Sequence, residues 1–209
     1  MAYNGELHVM IDDMDNTVGS LTQPERSMII GCLLGDGYLR IVPGRRNALL
    51  EINHSVKAKE YVDYKYDVLK RICVSPPKER SSGSNGRRAY RFYTKQHQEL
   101  TELYKLFYKN GRKTIPQDLE LDPVSLAVWY MDDGSRSRAS DIYLNTQQFS
   151  LADQRRLLAK LRKLGIKARL NKDKKYYRIR LLKESIPVFM KFIQPHIVPS
   201  MLYKLVMTP

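Results

Sequence analysis

The sequence is poor in residues that staple a fold or hold a soft metal. Its two cysteines, Cys32 and Cys73, are too few for a disulfide framework or a thiolate zinc site. Cys32 lies inside an apolar helical run, where a small buried thiol is the ordinary role. The four histidines, His8, His54, His97 and His196, show no metal-ligand spacing, which argues against zinc. No apolar stretch approaches the roughly 20 residues of a membrane span. The N-terminus carries Asp12, Asp13 and Asp15 where a secretion signal would be basic and then apolar. These absences predict an intracellular protein that works in the compartment of its synthesis, prokaryotic cytoplasm or organelle, without a membrane partner. Arg and Lys are equal in number with no excess of Asn, which leans toward a bacterial, archaeal or plastid source.

Acidic residues are also scarce: 22 against 36 basic ones, for a net charge of +14 over 209 residues. Such a field attracts polyanions and speeds their capture. An apolar fraction of 43% suffices for one compact domain or two small fused ones. Two stretches interleave the basic residues with aromatics: Arg87-Arg88-Ala89-Tyr90-Arg91-Phe92-Tyr93 and Lys174-Lys175-Tyr176-Tyr177-Arg178-Ile179-Arg180. Alternation at that period predicts strands with one cationic and one apolar face. A charge run is most often a solvated face. Two such strands at similar places in two halves favour nucleic acid.

The order of elements repeats. After an extension over 1–23, Pro24 and Glu25 open a helix that runs to about Gly35. Strands near Tyr38–Ile41 and Ala48–Asn53, a helix from about Lys57 to Ile72, a Ser/Gly/Asn tip at Ser81–Gly86, a basic strand and helix Gln96–Lys109 complete a first half over 24–110. A linker over 111–122 leads to the second half, 123–209. That half runs helix Pro123–Met131, strand Ile142–Gln147, helix Leu151–Leu164 ending at Gly165, a hairpin of Ile166–Asn171 with Tyr176–Leu182, and helix Glu184–Phe192.

The first helix of each half ends in a single acid followed by glycine: Ile29-Ile30-Gly31-Cys32-Leu33-Leu34-Gly35-Asp36-Gly37 and Leu126-Ala127-Val128-Trp129-Tyr130-Met131-Asp132-Asp133-Gly134. Either block alone reads as a helix-ending surface acid. If the halves pack through these helices, Asp36 and Asp133 come side by side, and carboxylates that close repel unless neutralised. Mg²⁺ suits one or two carboxylates together with waters and phosphate oxygens, and such a site fits metal-assisted phosphodiester hydrolysis.

These blocks resemble the two motifs of LAGLIDADG homing endonucleases, in particular single-chain intron-encoded meganucleases. The resemblance extends to Ser75-Pro76-Pro77, Lys113-Thr114-Ile115-Pro116, Leu144-Asn145-Thr146-Gln147 and Tyr203-Lys204-Leu205, in shared order. It implies an α+β fold of two pseudo-symmetric αββαββα halves packed through the motif helices, each with a four-stranded antiparallel sheet forming part of a DNA-binding saddle. It implies catalytic Asp36 and Asp133 as metal ligands, with the carbonyls of Gly35 and Asp132 assisting. Lys113 and Lys204 would lie near the scissile phosphates, and His54 or Gln147 would orient solvent. Mg²⁺ is the implied cofactor, with Mn²⁺ substituting and Ca²⁺ binding without supporting cleavage. Val128, Asp132 and Ile30 depart from the small residues of the family's motif helices, which implies a seam looser or differently packed.

Base or phosphate contacts are expected from Arg40, Arg45, Arg46, His54, Arg88, Arg91, Arg136, Arg138, Arg178 and Arg180, and adenine reading from Asn145 and Gln147. The reading is a monomeric endonuclease that cuts both strands of a long duplex target, leaves 3′ overhangs and supports intron mobility. An RNA-binding intron maturase is the alternative, with intron RNA as partner. A transcription regulator on a degenerate version of the fold is less favoured, because both motif acids are present.

Overall fold

In a computed structural model the described residues are 18–82, 87–137 and 141–205. The 1–23 extension up to residue 17, most of the 81–86 tip and Arg138 lie outside them. The elements run α1 Gln23–Leu34, β1 Tyr38–Ile41, β2 Ala48–Ser55, α2 Lys59–Leu69, β3 Lys78–Ser82, β4 Arg87–Tyr93 and α3 Gln98–Phe107. They continue with β5 Tyr108–Lys109, β6 Arg112–Lys113, α4 Pro123–Asp133, β7 Gly134–Ser137, β8 Asp141–Leu144, α5 Leu151–Lys163, β9 Ala168–Asp173, β10 Tyr176–Leu181 and α6 Ile186–Ile193. Two four-stranded antiparallel sheets have the same connectivity, β1-β2-β4-β3 and β7-β8-β10-β9. The expected α+β class with a four-stranded antiparallel sheet per half is what the chain forms. No helix among the described residues is long and apolar enough to cross a membrane.

The chain divides into two compact units that do not follow its linear halves. Unit 1 takes Met1–Arg26 with Gly37–Tyr104, and unit 2 takes Ser27–Asp36 with Lys105–Pro209. The first motif segment therefore groups with the second motif helix.

In unit 1, Thr22 and Glu25 form a reciprocal cap at the start of α1. The Thr22 amide donates to Glu25 Oε2 at 2.7 Å, and Thr22 Oγ1 accepts from the Glu25 amide at 3.4 Å. Arg71 donates to both oxygens of Glu25. Helix α2 covers one face of the sheet, against β2 and β4. Register pairs Ile52 with Phe92 on that face, and the neighbouring pairs Glu51–Tyr93 and Asn53–Arg91 fall on the other.

In unit 2, both motif segments are buried almost all round, as expected of apolar helices without a solvent face. Helix α4 starts in a second reciprocal cap: Asp122 Oδ1 accepts from the Ser125 amide at 2.7 Å, and Ser125 Oγ accepts from the Asp122 amide at 2.9 Å. Helix α5 covers β9 and β10. Ser150 caps it, and it stops before Gly165, the expected C-terminal glycine, whose φ of +74° is left-handed.

The seam between α1 and α4 is tight. A Cβ on Gly31 would stand 2.6 Å from Val128 Cβ, and one on Gly35 would stand 2.4 Å from Asp132 Cβ. The two larger residues of α4 thus face the two glycines of α1. The departures at Val128 and Asp132 are accommodated by different packing, not by a looser seam.

Candidate functional site

The acidic centre forms where α1 and α4 end, within unit 2. The α1 segment closes with Gly35 and Asp36, while α4 closes with Asp132 and Asp133. Asp132 Oδ2 accepts from the Asp36 amide at 3.2 Å, and the Asp133 carbonyl accepts from the Asn145 amide at 2.9 Å. Burial pushes the Asp133 carboxyl up to about 7, and the charges of Asp36 and Asp132 push the same way. Lys113 and Lys204 pull it down without prevailing. Three carboxylates therefore sit within mutual electrostatic reach, an all-oxygen donor group that suits a hard divalent cation.

A lysine caps each motif helix. Strands β5 and β6 make a two-residue hairpin through Asn110 and Gly111, at φ of +50° and +71°, and deliver Lys113 to the end of α1. Lys113 Nζ donates to the Gly35 carbonyl at 2.7 Å. Burial pushes its ammonium below the ordinary lysine range, against the upward pull of Asp133, Asp132 and Asp36. Lys204 ends a 3-10 turn over Pro199–Lys204 and donates to the carbonyls of Asp132 at 3.1 Å and Met131. The Tyr130 hydroxyl donates to the Lys204 carbonyl at 2.7 Å and holds that turn on α4. Each lysine thus lies along its helix dipole at the negative end, beside the carbonyls expected to assist a metal.

Gln148 is a site residue that sequence reasoning missed. Its amide donates to Asp133 Oδ2 at 3.2 Å and to the Leu34 carbonyl at 3.4 Å, so one side chain joins the ends of both motif helices. Gln147, the residue expected to orient solvent, donates instead to Asp173 at 2.9 Å. His54, the other such candidate, lies in unit 1 on the helix side of its sheet. There its ring packs edge-on to Tyr61 at 5.5 Å, and Nε2 lies 3.0 Å from Lys65 Nζ.

The sheet faces sort the remaining candidates. On the polar face of unit 1 stand Arg40 and Arg91, each guanidinium 5.7 Å from the Tyr93 ring, and Arg40 lies 3.4 Å from Glu51. The same pairing puts Lys78 opposite Arg91, and Arg80 opposite Ala89. Neither Lys78 nor Arg80 was a candidate, because the polar run of β3 shows no alternation. Arg88 alternates to the helix side, paired with Glu79. Arg45 and Arg46 occupy the exposed turn between β1 and β2. On the polar face of unit 2 stand Asn145, Arg178 and Arg180. Arg136 does not join them: it pairs with buried Ile142 on the other face, and its guanidinium donates to the Leu205 carbonyl.

A family model described as the LAGLIDADG DNA endonuclease family matches residues 26–189, a span holding Asp36, Asp133 and both four-stranded sheets. The chain belongs to that family. Among LAGLIDADG relatives, the cytochrome b mRNA maturase bI2 of Debaryomyces hansenii is 31% identical, over 96% of this chain and 83% of that protein. A probable intron-encoded endonuclease 1 of Wickerhamomyces canadensis is 27% identical, over 94% of this chain and 90% of its own length. The fold is similar to that of the homing endonuclease I-WcaI bound to its DNA recognition sequence, with a TM-score of 0.83 and 25% identity over 100% of this chain and 96% of that one.

Proposed function

We propose that this LAGLIDADG protein is a site-specific endonuclease that hydrolyses a phosphodiester in each strand of a long duplex target, leaving 3′ overhangs. In this reading it acts as a monomer, in the compartment of its synthesis, in support of intron mobility. The observation that carries the reading is the pair of motif helices ending in Asp36 and Asp133 within one unit, each capped by a lysine. The carboxylates of Asp36 and Asp133 would hold Mg²⁺, for which Mn²⁺ substitutes and which Ca²⁺ replaces without turnover. When bound, the ion supplies an activated water and charge stabilisation for phosphoryl displacement.

The protein's own residues set the rest. Lys113 and Lys204 present fixed cations where charge develops on the phosphate oxygens, and being held by helix carbonyls they need no reorganisation. The Gln148 amide fixes the Asp133 carboxylate and leaves its second oxygen for a ligand. The polar sheet faces supply arginines for phosphate and base edges.

Identity to the D. hansenii maturase favours a second reading, an RNA-binding intron maturase. One assay separates the two. Sequences bound from randomised duplex DNA in Ca²⁺ are transferred to Mg²⁺, alongside Asp36→Asn and Asp133→Asn. Discrete double-strand breaks, lost in both variants while binding persists, support the nuclease. Selective binding without breaks in Mg²⁺ or Mn²⁺ overturns it in favour of intron RNA.

A further inference from the structure

The polar face of the unit 2 sheet carries a connected set of side chains that the acidic centre does not use. Arg180 NH2 donates to Asp141 Oδ1 at 2.6 Å. The other oxygen of Asp141 accepts from the Tyr143 hydroxyl at 3.4 Å. The Arg178 guanidinium lies over the Tyr143 ring at 3.9 Å, and its NH1 donates to Asn145 Oδ1 at 3.3 Å. Register sets Tyr143 opposite Arg180 and places both arginines on one face of β10, with buried Ile179 and Leu181 on the other. The side chains of Arg180 and Asp141 keep only 23% and 19% of their exposure.

We propose that Asp141 is a specificity-determining residue: it positions Arg180 directly, and Arg178 through Tyr143, as a paired reader of two guanines separated by one base pair. This rests on the endonuclease reading above.

A guanidinium has five donors in a rigid fork. One bond to Asp141 leaves Arg180 enough of that fork for the O6 and N7 acceptors of a guanine. Arg178 likewise keeps donors free beyond its bond to Asn145. Residues i and i+2 of a strand project about 6.6 Å apart, close to two base-pair steps of about 3.4 Å each. Stacking on Tyr143 and the bond to Asp141 limit the rotamers that each arginine would lose on binding. The corresponding group in unit 1 is looser, with Arg40 at 3.4 Å from Glu51 and both guanidiniums at 5.7 Å from Tyr93. The sharper guanine preference therefore belongs to unit 2.

The test sequences the products cleaved from a randomised duplex library in Mg²⁺ by wild type, Arg178→Ala, Arg180→Ala, Asp141→Asn and Tyr143→Phe. The expected wild-type profile has two guanines on one strand with one unconstrained base pair between them. Each alanine variant should lose one guanine, and Asp141→Asn should cut discrimination at the Arg180 guanine by about tenfold or more. Tyr143→Phe keeps the stacking ring and loses only the hydroxyl, so it should weaken the Arg178 guanine less than Arg178→Ala does. Far-ultraviolet circular dichroism checks that each variant is folded; if Asp141→Asn is not, Asp141→Ala, which also removes the charged acceptor, takes its place with the same expectation. An unchanged profile in the Asp141 variant, or a wild-type profile without the spaced pair, overturns the proposal while leaving the endonuclease standing. Failure of wild type to cut any duplex overturns the endonuclease reading itself.

Discussion

Lys113 Nζ donates to the Gly35 carbonyl at 2.7 Å, which puts a half-buried ammonium at the end of α1, one residue from Asp36. The cation is held by the helix end beside the acid, and the hairpin at Asn110-Gly111 delivers it there. Lys113→Ala is expected to slow strand cleavage by about a hundredfold, with DNA affinity nearly unchanged. Single-turnover kinetics on a supercoiled target check it, and accumulation of nicked circles is the expected signature. Cleavage at the wild-type rate would remove Lys113 from the machinery.

The glycines of α1 face filled space. Gly31→Ala should destabilise unit 2 by about 1–3 kcal/mol, because the new methyl would lie 2.6 Å from Val128 Cβ. Val128→Ala in the same chain should recover only a small part of the loss, since it removes Val128 Cγ1, 2.9 Å from the new methyl, but keeps Cβ at 2.6 Å and leaves the Ser125 carbonyl oxygen at 2.7 Å. Urea denaturation of the two single variants and the double variant measures the coupling.

Repulsion in the acidic centre weakens the metal-free protein. Asp133→Asn removes one of the three neighbouring charges, so it should melt above wild type in the presence of a chelator. Millimolar Mg²⁺ or Ca²⁺ should raise the wild-type melting temperature and move the variant much less. Equal shifts in both proteins would place the cation elsewhere. Thermal melts with and without chelator are sufficient.

Two carboxylates outside that centre set the acid limit of the fold. Burial would raise Glu25, but its bonds from Arg71 and Thr22 outweigh this and hold it below the usual carboxylate range. Asp153 is held low in the same sense by Ser150, the Ile115 amide, Thr114 and Arg156, again against burial. For a depressed pKa the stabilisation is complete above the unfolded values, 4.5 and 3.8, and is lost as pH falls through the lower folded ones. Urea midpoints should fall steeply below about pH 4.5, and less steeply in Glu25→Gln, which starts less stable at pH 7.

What was legible in the chain depended on how local the signal is. Asp36 and Asp133 stood out because an apolar helical run ending in one acid is visible within a few residues. Strands β4 and β10 announced themselves through alternation. Strands β3 and β7, Lys-Glu-Arg-Ser-Ser and Gly-Ser-Arg-Ser, have no apolar face and exist through pairing with their neighbours, so no periodicity marks them. Sequence alone groups Arg136 with the other arginines, because its direction depends on the register of β7. The choice between Gln147 and Gln148 turns on where the chain leaves β8, which composition does not carry. The Asn110-Gly111 pair is a strong hairpin signal that straddles the expected boundary between the first half, ending at 110, and the linker over 111–122.

Helix α1 opens in unit 1, where Arg71 grips Glu25, and its Ser27–Leu34 segment belongs to unit 2. On the ribosome that segment emerges long before α4, whose Val128 and Asp132 fill the space beside Gly31 and Gly35. Unit 2 therefore closes only after the second motif helix, about a hundred residues further along, has been synthesised. A fragment beginning at residue 105 would expose the apolar α4 surface to solvent. Splitting the protein into separately expressed pieces is expected to succeed only where residues 27–36 travel with the C-terminal piece.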